Sequence, residues 1–478
     1  MKSLLVHYHL KPGGVSSVIK RQMSALAGQG VEACALVGEL GQDFGACVSV
    51  EPALAYDKVG EQADSPNPDK VKAIVRSIER EAAFLGENSI IHVHNPSIRK
   101  NSSLLAALAI LSEKGLPLVL QIHDLAEDWR PDVYSAQAYP EKAHWVLINR
   151  RDEAMLKAAG ADYASFLPNS VPLPKEKIPA KPKKGPGLIL YPVRGLRRKN
   201  IGEAVLLSFF MRKGSRIGLT LPPNSPRDLQ IYDEWKKAAA GYRAAVSFGL
   251  GLKHSLDELY EEAITAISTS VKEGFGLSFL EPIARGKSML GRRISYVVND
   301  FEAMGVKFPQ LYSKLSVPLH LFDYEAFMQR VEKAMEAACL SFGAGTASCV
   351  FPGCTSVKEF CELVSRVITD GTSADFGRLD ETAQREVLSA IYEQNGSAGS
   401  AGKSIIGLNP FIENWDEAAG NLELADTDSL LPWEEASYGQ SLVSIYKAVL
   451  DGRLGRAPDK AKLLQKYLVP EAFYGIGI

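Results

Sequence analysis

Residues 263–281 read Ala263-Ile-Thr-Ala-Ile-Ser-Thr-Ser-Val-Lys-Glu-Gly-Phe-Gly-Leu-Ser-Phe-Leu-Glu281. The first seven are small, apolar or β-branched, which predicts a strand over Ala263–Thr269 covered on both faces. Glycines at 274 and 276 then break the run, and a helical pattern opens over Leu277–Gly286. Strand, glycine turn and helix in that order form the unit from which parallel α/β sheets are built. At the turn, free backbone N–H groups and the helix dipole favour anions such as phosphate. Glu273 stands at the strand's carboxyl end, where such sheets bind ligands. Glu281 is expected in the first helical turn, where a carboxylate can accept hydrogen bonds from a pair of sugar hydroxyls. Taken alone, the motif also fits an ordinary helix with acidic residues near its start.

The same alternation runs outward from this stretch. Strands are predicted at Leu188–Val193, Arg216–Leu221, Ala245–Gly249 and Ser288–Leu290, with helices at Asn200–Lys213, Arg227–Ala240 and Ser255–Ala263. Towards the N-terminus, strands are predicted at Ser3–His9, Val31–Val37, Ser89–His94, Pro117–His123, His144–Ile148 and Asp162–Leu167. Helices over Val15–Ala27, Val71–Phe84 and Ser102–Glu113 separate them. Between the two sets, Pro172 to Pro186 is rich in proline and lysine and cannot continue a helix or a central strand. The chain therefore divides into an N-terminal α/β domain over 1–172, a linker over 173–186, a second α/β domain over 187–370 and an extension over 371–478. A cleft is expected between the two α/β domains. In the extension, Asp380–Tyr392 and Ser437–Leu450 read as helices. Asn395-Gly-Ser-Ala-Gly-Ser-Ala-Gly-Lys-Ser404 is low in complexity and predicts a mobile loop. Pro410 to Pro432 carries too weak a period to assign.

Charge and composition narrow the function. The 478 residues hold 54 Lys plus Arg against 56 Asp plus Glu, a formal net charge of -2. That balance excludes a general nucleic-acid binder or a strongly basic membrane-surface protein. No apolar run reaches the roughly 20 residues a transmembrane helix needs, and the start has no signal-peptide pattern. Six cysteines without a CxxC pair, Cys349, Cys354 and Cys361 among them, predict reduced structural thiols and a cytoplasmic protein. The oligomeric state is not legible.

Three further motifs fall at predicted strand ends. Tyr191-Pro-Val-Arg-Gly-Leu-Arg-Arg-Lys-Asn200 places Arg194, Arg197, Arg198 and Lys199 together, a set able to neutralise a diphosphate. Lys11-Pro-Gly-Gly-Val15 opens a helix with Gly13 and Gly14, which let backbone approach a ligand closely. His94 and His123 each close a strand, with Asp124, Glu127, Asp128, Trp129 and Arg130 following as a polar cluster suited to an acceptor. A lone histidine in such a place is more often structural.

The two glutamates eight apart around Gly-Phe-Gly resemble the E-x7-E signature of retaining GT-B glycosyltransferases, in particular the family 4 group that includes glycogen and sucrose synthases. The resemblance implies a GT-B fold: two Rossmann-like α/β domains facing a cleft, with a C-terminal crossover helix near Tyr438–Leu450. It implies that Glu273 faces the donor sugar and Glu281 holds the nucleotide ribose, with backbone amides of Phe275, Gly276 and Leu277 near sugar and phosphate. Arg194 and Lys199 match the family's pyrophosphate-gripping pair by spacing. Gly13 and Gly14 match its glycine loop, which approaches the donor phosphate, and His123 its donor-sugar histidine. The implied catalytic set is thus His123, Glu273, Arg194 and Lys199. His94, Asp124 and Arg130 are candidates for the acceptor side. The resemblance implies transfer of a hexose from a nucleotide-diphosphate sugar to a hydroxyl acceptor, which we expect to be small and polar, with no cofactor and no metal. Leu167-Pro-Asn-Ser-Val171 also resembles a family segment. Two departures touch nucleotide and acceptor specificity: Gly286-Lys-Ser288 replaces Gly-x-Pro, and Gly291-Arg-Arg-Ile-Ser-Tyr replaces Gly-Gly-x-x-Glu.

Other readings of the same fold are a nucleotide-sugar 2-epimerase, a phosphorylase or an inactive scaffold. The intact glutamate pair and basic loop argue against the scaffold. Ser397–Ser404 imitates a P-loop but lacks its first glycine and a preceding strand. Asp426-Thr-Asp428 imitates a metal-binding D-x-D, yet GT-B enzymes generally do not hold the donor through a metal.

Overall fold

The computed structural model describes residues 1–41, 47–58, 65–174, 185–343, 350–419 and 427–476. Along the first part run strands β1 (Lys2–His9), β2 (Glu32–Glu39), β3 (Val48–Val50), β4 (Ser89–His94), β5 (Leu118–Ile122), β6 (His144–Leu147) and β7 (Ala164–Phe166). Helices α1 (Gly14–Gly28), α2 (Pro68–Leu85), α3 (Leu104–Glu113) and α4 (Arg150–Ala158) connect them. All pairings are parallel, in the order β3-β2-β1-β4-β5-β6-β7. The short strand β3 and the charged helix α4 carry no clear apolar period and escaped the sequence reading. Asn149 caps α4 by accepting from the Asp152 N–H.

Alternate residues of these strands feed two faces, as the period of two requires. Leu4, Val6, Ile91, Val93, Leu118 and Leu120 pack with α2 and α3 on one face. On the other, Leu5, Ala35 and Val37 meet Ile19 and Met23 of α1.

The second sheet is built from β8 (Leu188–Arg194), β9 (Arg216–Leu221), β10 (Val246–Ser247), β11 (Thr265–Ser268), β12 (Met289–Arg292) and β13 (Leu311–Tyr312). It too is parallel, in the order β10-β9-β8-β11-β12-β13. Its helices are α5 (Ile201–Ser208), α6 (Pro226–Gly241), α7 (Leu256–Glu262), α8 (Leu277–Ala284) and α9 (Ser295–Ala303). Helix α5 stops five residues short of its predicted end.

Beyond the sheets lie α10 (Tyr324–Ser341), α11 (Val357–Ile368), α12 (Glu381–Glu393), α13 (Ser400–Leu408), α14 (Trp415–Ala419), α15 (Glu435–Leu450) and α16 (Lys460–Tyr467). The predicted mobile loop over residues 395–404 is instead a 3-10 turn followed by α13. Its glycines are packing residues: a Cβ on Gly402 would collide with the Ser397 backbone, and one on Gly399 with that of Gln394.

Two compact units result, Met1–Val171 with Ala337–Gly353 and Leu431–Val469, and Pro172–Glu336 with Cys354–Leu430 and Pro470–Ile478. The described residues of 337–353, read from sequence as part of the second domain, group with the first unit; Phe342 there packs edge-on against Tyr134. Helix α15 lays Tyr438, Leu442, Tyr446 and Val449 against Ile90, Val119 and Val146 of the first sheet. Most of the predicted linker, and Cys349 and Asp426 with it, fall outside the described residues. Cys354 and Cys361 are buried free thiols. Among the described residues no helix is long and apolar enough to cross a membrane.

Candidate active site

In each sheet the strand order reverses beside the first strand, between β1 and β4 and between β8 and β11. Ligands of open parallel sheets bind outside the strand carboxyl ends at such a switch point. The four sequence motifs fall there: Gly13–Gly14 after β1, His94 at the end of β4, the basic loop after β8, and Glu273 after β11.

In the second unit the basic loop and the glutamate meet. Lys199 and Glu273 are both buried, and the Lys199 ammonium pairs with Glu273 Oε1. Burial alone would push the Glu273 carboxyl up, but Lys199 and then Arg198 hold it below the usual carboxylate range. Tyr296 clasps the Glu273 backbone, donating its hydroxyl to the carbonyl at 2.6 Å and accepting from the N–H at 3.2 Å. The loop itself is pinned from behind. The Lys199 carbonyl accepts from the Tyr191 hydroxyl at 2.7 Å and from Thr269 Oγ1 at 3.0 Å. Arg194 donates through Nη1 to the Pro222 carbonyl at 2.8 Å and to Asn224 Oδ1 at 2.6 Å, while Arg197 pairs with Glu381.

Gly276 caps α8 in the left-handed region (φ 86°), and a Cβ there would run into Val297 and Phe279. Only glycine fits this turn. Phe275, buried, packs edge-on against Phe301, and Leu277 begins the helix. The hydroxyl of Ser278, one residue further on, is buried without a hydrogen-bond partner in the chain. Glu281 is the fifth residue of α8, in its second turn rather than its first. Arg285 Nη2 stands 3.8 Å from its carboxylate.

The first unit contributes a row of imidazoles. His92 stacks on His94 with ring centroids 4.8 Å apart, and His94 on His123 at 5.4 Å. His94 Nδ1 lies 3.0 Å from His123 Nε2, so one of the two carries the shared proton. Burial lowers His123 to about 4 and His7 and His92 to about 3, and takes His94 well below its ordinary value. All four rings are neutral at ordinary pH. His94 has no exposed surface, so it cannot itself meet an acceptor; it stands behind His123. Tyr446 of α15 donates to or accepts from His92 Nδ1 at 2.7 Å, tying this helix to the row.

The loop after β5 divides. Asp124 and Arg130 are partly exposed and face each other at 3.3 Å. Glu127 and Asp128 are buried and committed elsewhere, Glu127 to the Tyr139 hydroxyl at 2.8 Å and Asp128 to Arg151 at 2.6 Å. At Gly13 the backbone is extended and at Gly14 nothing lies within 4 Å of a Cβ, so the fold does not demand glycine at either. Among the described residues no group of three His, Cys, Asp or Glu side chains could hold a metal ion.

The supporting residues Tyr191, Thr269, Asn200 and Tyr296 were not singled out from sequence. An Asn directly before a helix is the one local signal that pointed at any of them.

No family model matches the chain. A curated relative, mannosylglucosyl-3-phosphoglycerate synthase of Petrotoga mobilis, is 27% identical over 380 residues, spanning 70% of this chain and 73% of its own length. Among solved structures, Anabaena HepE in complex with UDP and glucose superposes with a TM-score of 0.51 at 13% identity, covering 94% of this chain and 100% of that one. Sucrose-phosphate synthase of Thermosynechococcus elongatus gives 0.51 at 13% identity, covering 94% and 99%. The two likenesses show the fold. With two parallel Rossmann-like sheets and these likenesses, the chain is a glycosyltransferase of GT-B fold that resembles the GT4-like group.

Proposed function

We propose that the protein transfers a hexose, with retention of anomeric configuration, from a nucleotide-diphosphate sugar to a hydroxyl of a small polar acceptor. The observation that carries this reading is the convergence of Lys199, Glu273 and the Gly276 turn at the switch point of the second sheet. Lys199 and Arg194 bind the diphosphate, with amides of Phe275, Gly276 and Leu277 and the hydroxyl of Ser278 at the start of α8. Glu281 accepts from the ribose hydroxyls and Glu273 from the donor sugar. In the first unit, Gly13 and Gly14 let backbone approach the donor, and neutral His123 orients the sugar without adding charge.

The reaction is front-face. The bond from C1 to the diphosphate oxygen breaks, the acceptor oxygen bonds to C1 on the same face, and the acceptor proton passes to the departing diphosphate. Charge grows on that diphosphate, so fixed cations there stabilise the transition state more than the ground state. They also remove the need for a divalent ion. No other cofactor takes part. The Petrotoga relative builds a doubly glycosylated phosphoglycerate. By that likeness the acceptor here is a small anionic sugar compound, met by Arg130 and Lys11, with Asp124 binding its hydroxyls. A cytoplasmic location accords with nucleotide-sugar supply.

The test is a panel of nucleotide sugars against glucosyl-phosphoglycerate and related small acceptors, with the product anomer read by NMR in the presence and absence of EDTA. Retained configuration and activity that survives EDTA are expected. An inverted product overturns retention, and loss restored by Mg²⁺ or Mn²⁺ overturns metal independence. Donor epimerised without an acceptor, or left untouched, favours the epimerase or the inactive scaffold.

A further inference from the structure

Gly291-Arg-Arg marks the place where the chain departs from the family pattern, and the structure gives Arg292 a clear surrounding. Its side chain is fully buried. It meets two carboxylates at once. Nε and Nη2 donate to Glu203 Oε1 and Oε2 at 2.9 and 2.6 Å, and Nη1 and Nη2 to Asp375 Oδ2 and Oδ1 at 2.9 and 2.8 Å. The Tyr312 hydroxyl adds a 2.6 Å bond to Glu203 Oε1. Arg378, 4.0 Å from Asp375, supplies the second positive charge. Gly377 lies against the guanidinium, leaving no room for a Cβ.

Such a cluster is a poor source of stability, because burying ionised groups costs about as much as their attraction returns. Its worth lies in direction. A guanidinium holding two carboxylates by four bonds leaves Glu203 one orientation. The second oxygen of Glu203 accepts from Asn200 Nδ2 at 2.9 Å, and Gln384 Nε2 donates to Asn200 Oδ1 at 2.9 Å. Asn200 is held on both sides while its backbone sits in the left-handed region (φ 50°), at the single residue between the basic turn and α5. The residue before it is Lys199, whose carbonyl is gripped by Tyr191 and Thr269. The peptide that aims the lysine is thus clamped at both ends.

We propose that Arg292 is a positioning residue for sugar transfer: through Glu203 and Asn200 it fixes the turn that directs Lys199 at the donor diphosphate. This rests on the reading of Lys199 as a diphosphate ligand. A preorganised cation acts mainly on the transition state, so a loosened one lowers turnover more than donor affinity.

The experiment is a double-mutant cycle on the full chain, with kcat and donor KM measured separately. Arg292→Lys keeps the charge and loses the fork; Asn200→Gly keeps the left-handed turn and loses the tether. Each is expected to lower kcat about tenfold with donor KM changed less than about threefold. Each is expected to have no further effect in a Lys199→Ala background, because residues acting as one unit are not additive. Arg293→Lys, at the partly exposed neighbour paired with Glu302, is the unchanged control. If Arg292→Lys does not fold, the Asn200→Gly cycle decides alone. A large effect of Lys199→Ala with effects of the others that multiply onto it overturns the positioning role only. A silent Lys199→Ala overturns the diphosphate reading, and the proposal with it.

Discussion

The two units of this chain repeat one architecture with different polar groups buried at its switch point. Both are parallel sheets whose strand order reverses beside the first strand. At that point the first unit buries four imidazoles, His7, His92, His94 and His123, each kept neutral by its burial. The second has at its switch point the buried ion pair of Lys199 with Glu273 and, at the end of β12, that of Arg292 with Glu203 and Asp375. A neutral ring can hydrogen-bond a sugar hydroxyl without setting up a field. An oriented cation does the reverse, and suits a leaving group that gains charge as it departs. The division of labour proposed for the two units matches how each keeps these buried polar groups.

The largest effects should come from removing the fixed cations of the second unit. Lys199→Ala and Arg194→Ala should each lower turnover about 10²-fold or more, with smaller changes in donor affinity, as read by steady-state kinetics beside calorimetry. Arg197→Ala should do less, since Glu381 already neutralises Arg197, whereas Arg194 donates to neutral groups, the Pro222 carbonyl and Asn224 Oδ1. A critical Arg197 beside a dispensable Lys199 would show the loop to be read in the wrong register. Next in size is Glu281→Ala. Loss of a charged hydrogen-bond acceptor costs roughly 1.5–3 kcal/mol, so donor binding should weaken about ten- to a hundredfold. Titration with the nucleotide diphosphate alone isolates that term, and an unchanged Kd removes Glu281 from the ribose.

The contrast also explains what could be read from sequence. Strands covered on both faces are nearly continuous apolar runs, so β1, β4, β5 and β8 were placed within a residue or so at each end. Motifs local in sequence, such as Glu273 to Glu281, were legible because strand end, turn and helix start follow within nine residues. The clamp around Lys199 was not, because its members Tyr191, Thr269, Glu203, Arg292 and Asp375 are brought together only by the fold. His94 was visible as a strand-end histidine, but its burial behind His123 depends on the pairing of β4 with β5. Residues 395–404 misled for a different reason. Small residues that let backbones touch, as Gly402 does against Ser397, have the composition of a flexible linker.

A smaller effect separates the units by pH. An imidazole whose pKa is lower in the folded chain than in the unfolded one leaves the unfolded chain binding more protons between the two values. For His123 that window runs from about 6.5 down to about 4, and for His7 and His92 to about 3. Their stabilisation is complete above the window and is lost as pH falls through it. The paired carboxylate of Glu273, held low, contributes above the usual carboxylate pKa and is lost only at more acid pH. Hydrogen exchange, corrected for its intrinsic pH dependence, should therefore show β4 and β5 losing protection between pH 6.5 and 4.5 while β8 and β11 hold. His123→Asn should flatten the slope of the first unit. Parallel loss in both units would remove the electrostatic contrast.

The smallest expected change in stability falls at Gly14. Glycine at the start of a helix is a cost to the fold, up to about 1 kcal/mol against alanine in a helix interior. Here nothing lies within 4 Å of the position a Cβ would take, and the preceding Gly13 is extended, a conformation any residue adopts. Packing thus gives no reason for the glycine; the proposed approach of a ligand to the backbone would. Gly14→Ala should leave the melting temperature unchanged or raise it slightly, while transfer activity falls about three- to tenfold through crowding of the donor. The contrasting case is Gly276, where φ is 86° and the Cβ would meet Val297. There, alanine should lower stability and activity together. If Gly14→Ala keeps full activity, the loop after β1 is a plain helix start and the first unit approaches its ligand through His123 alone.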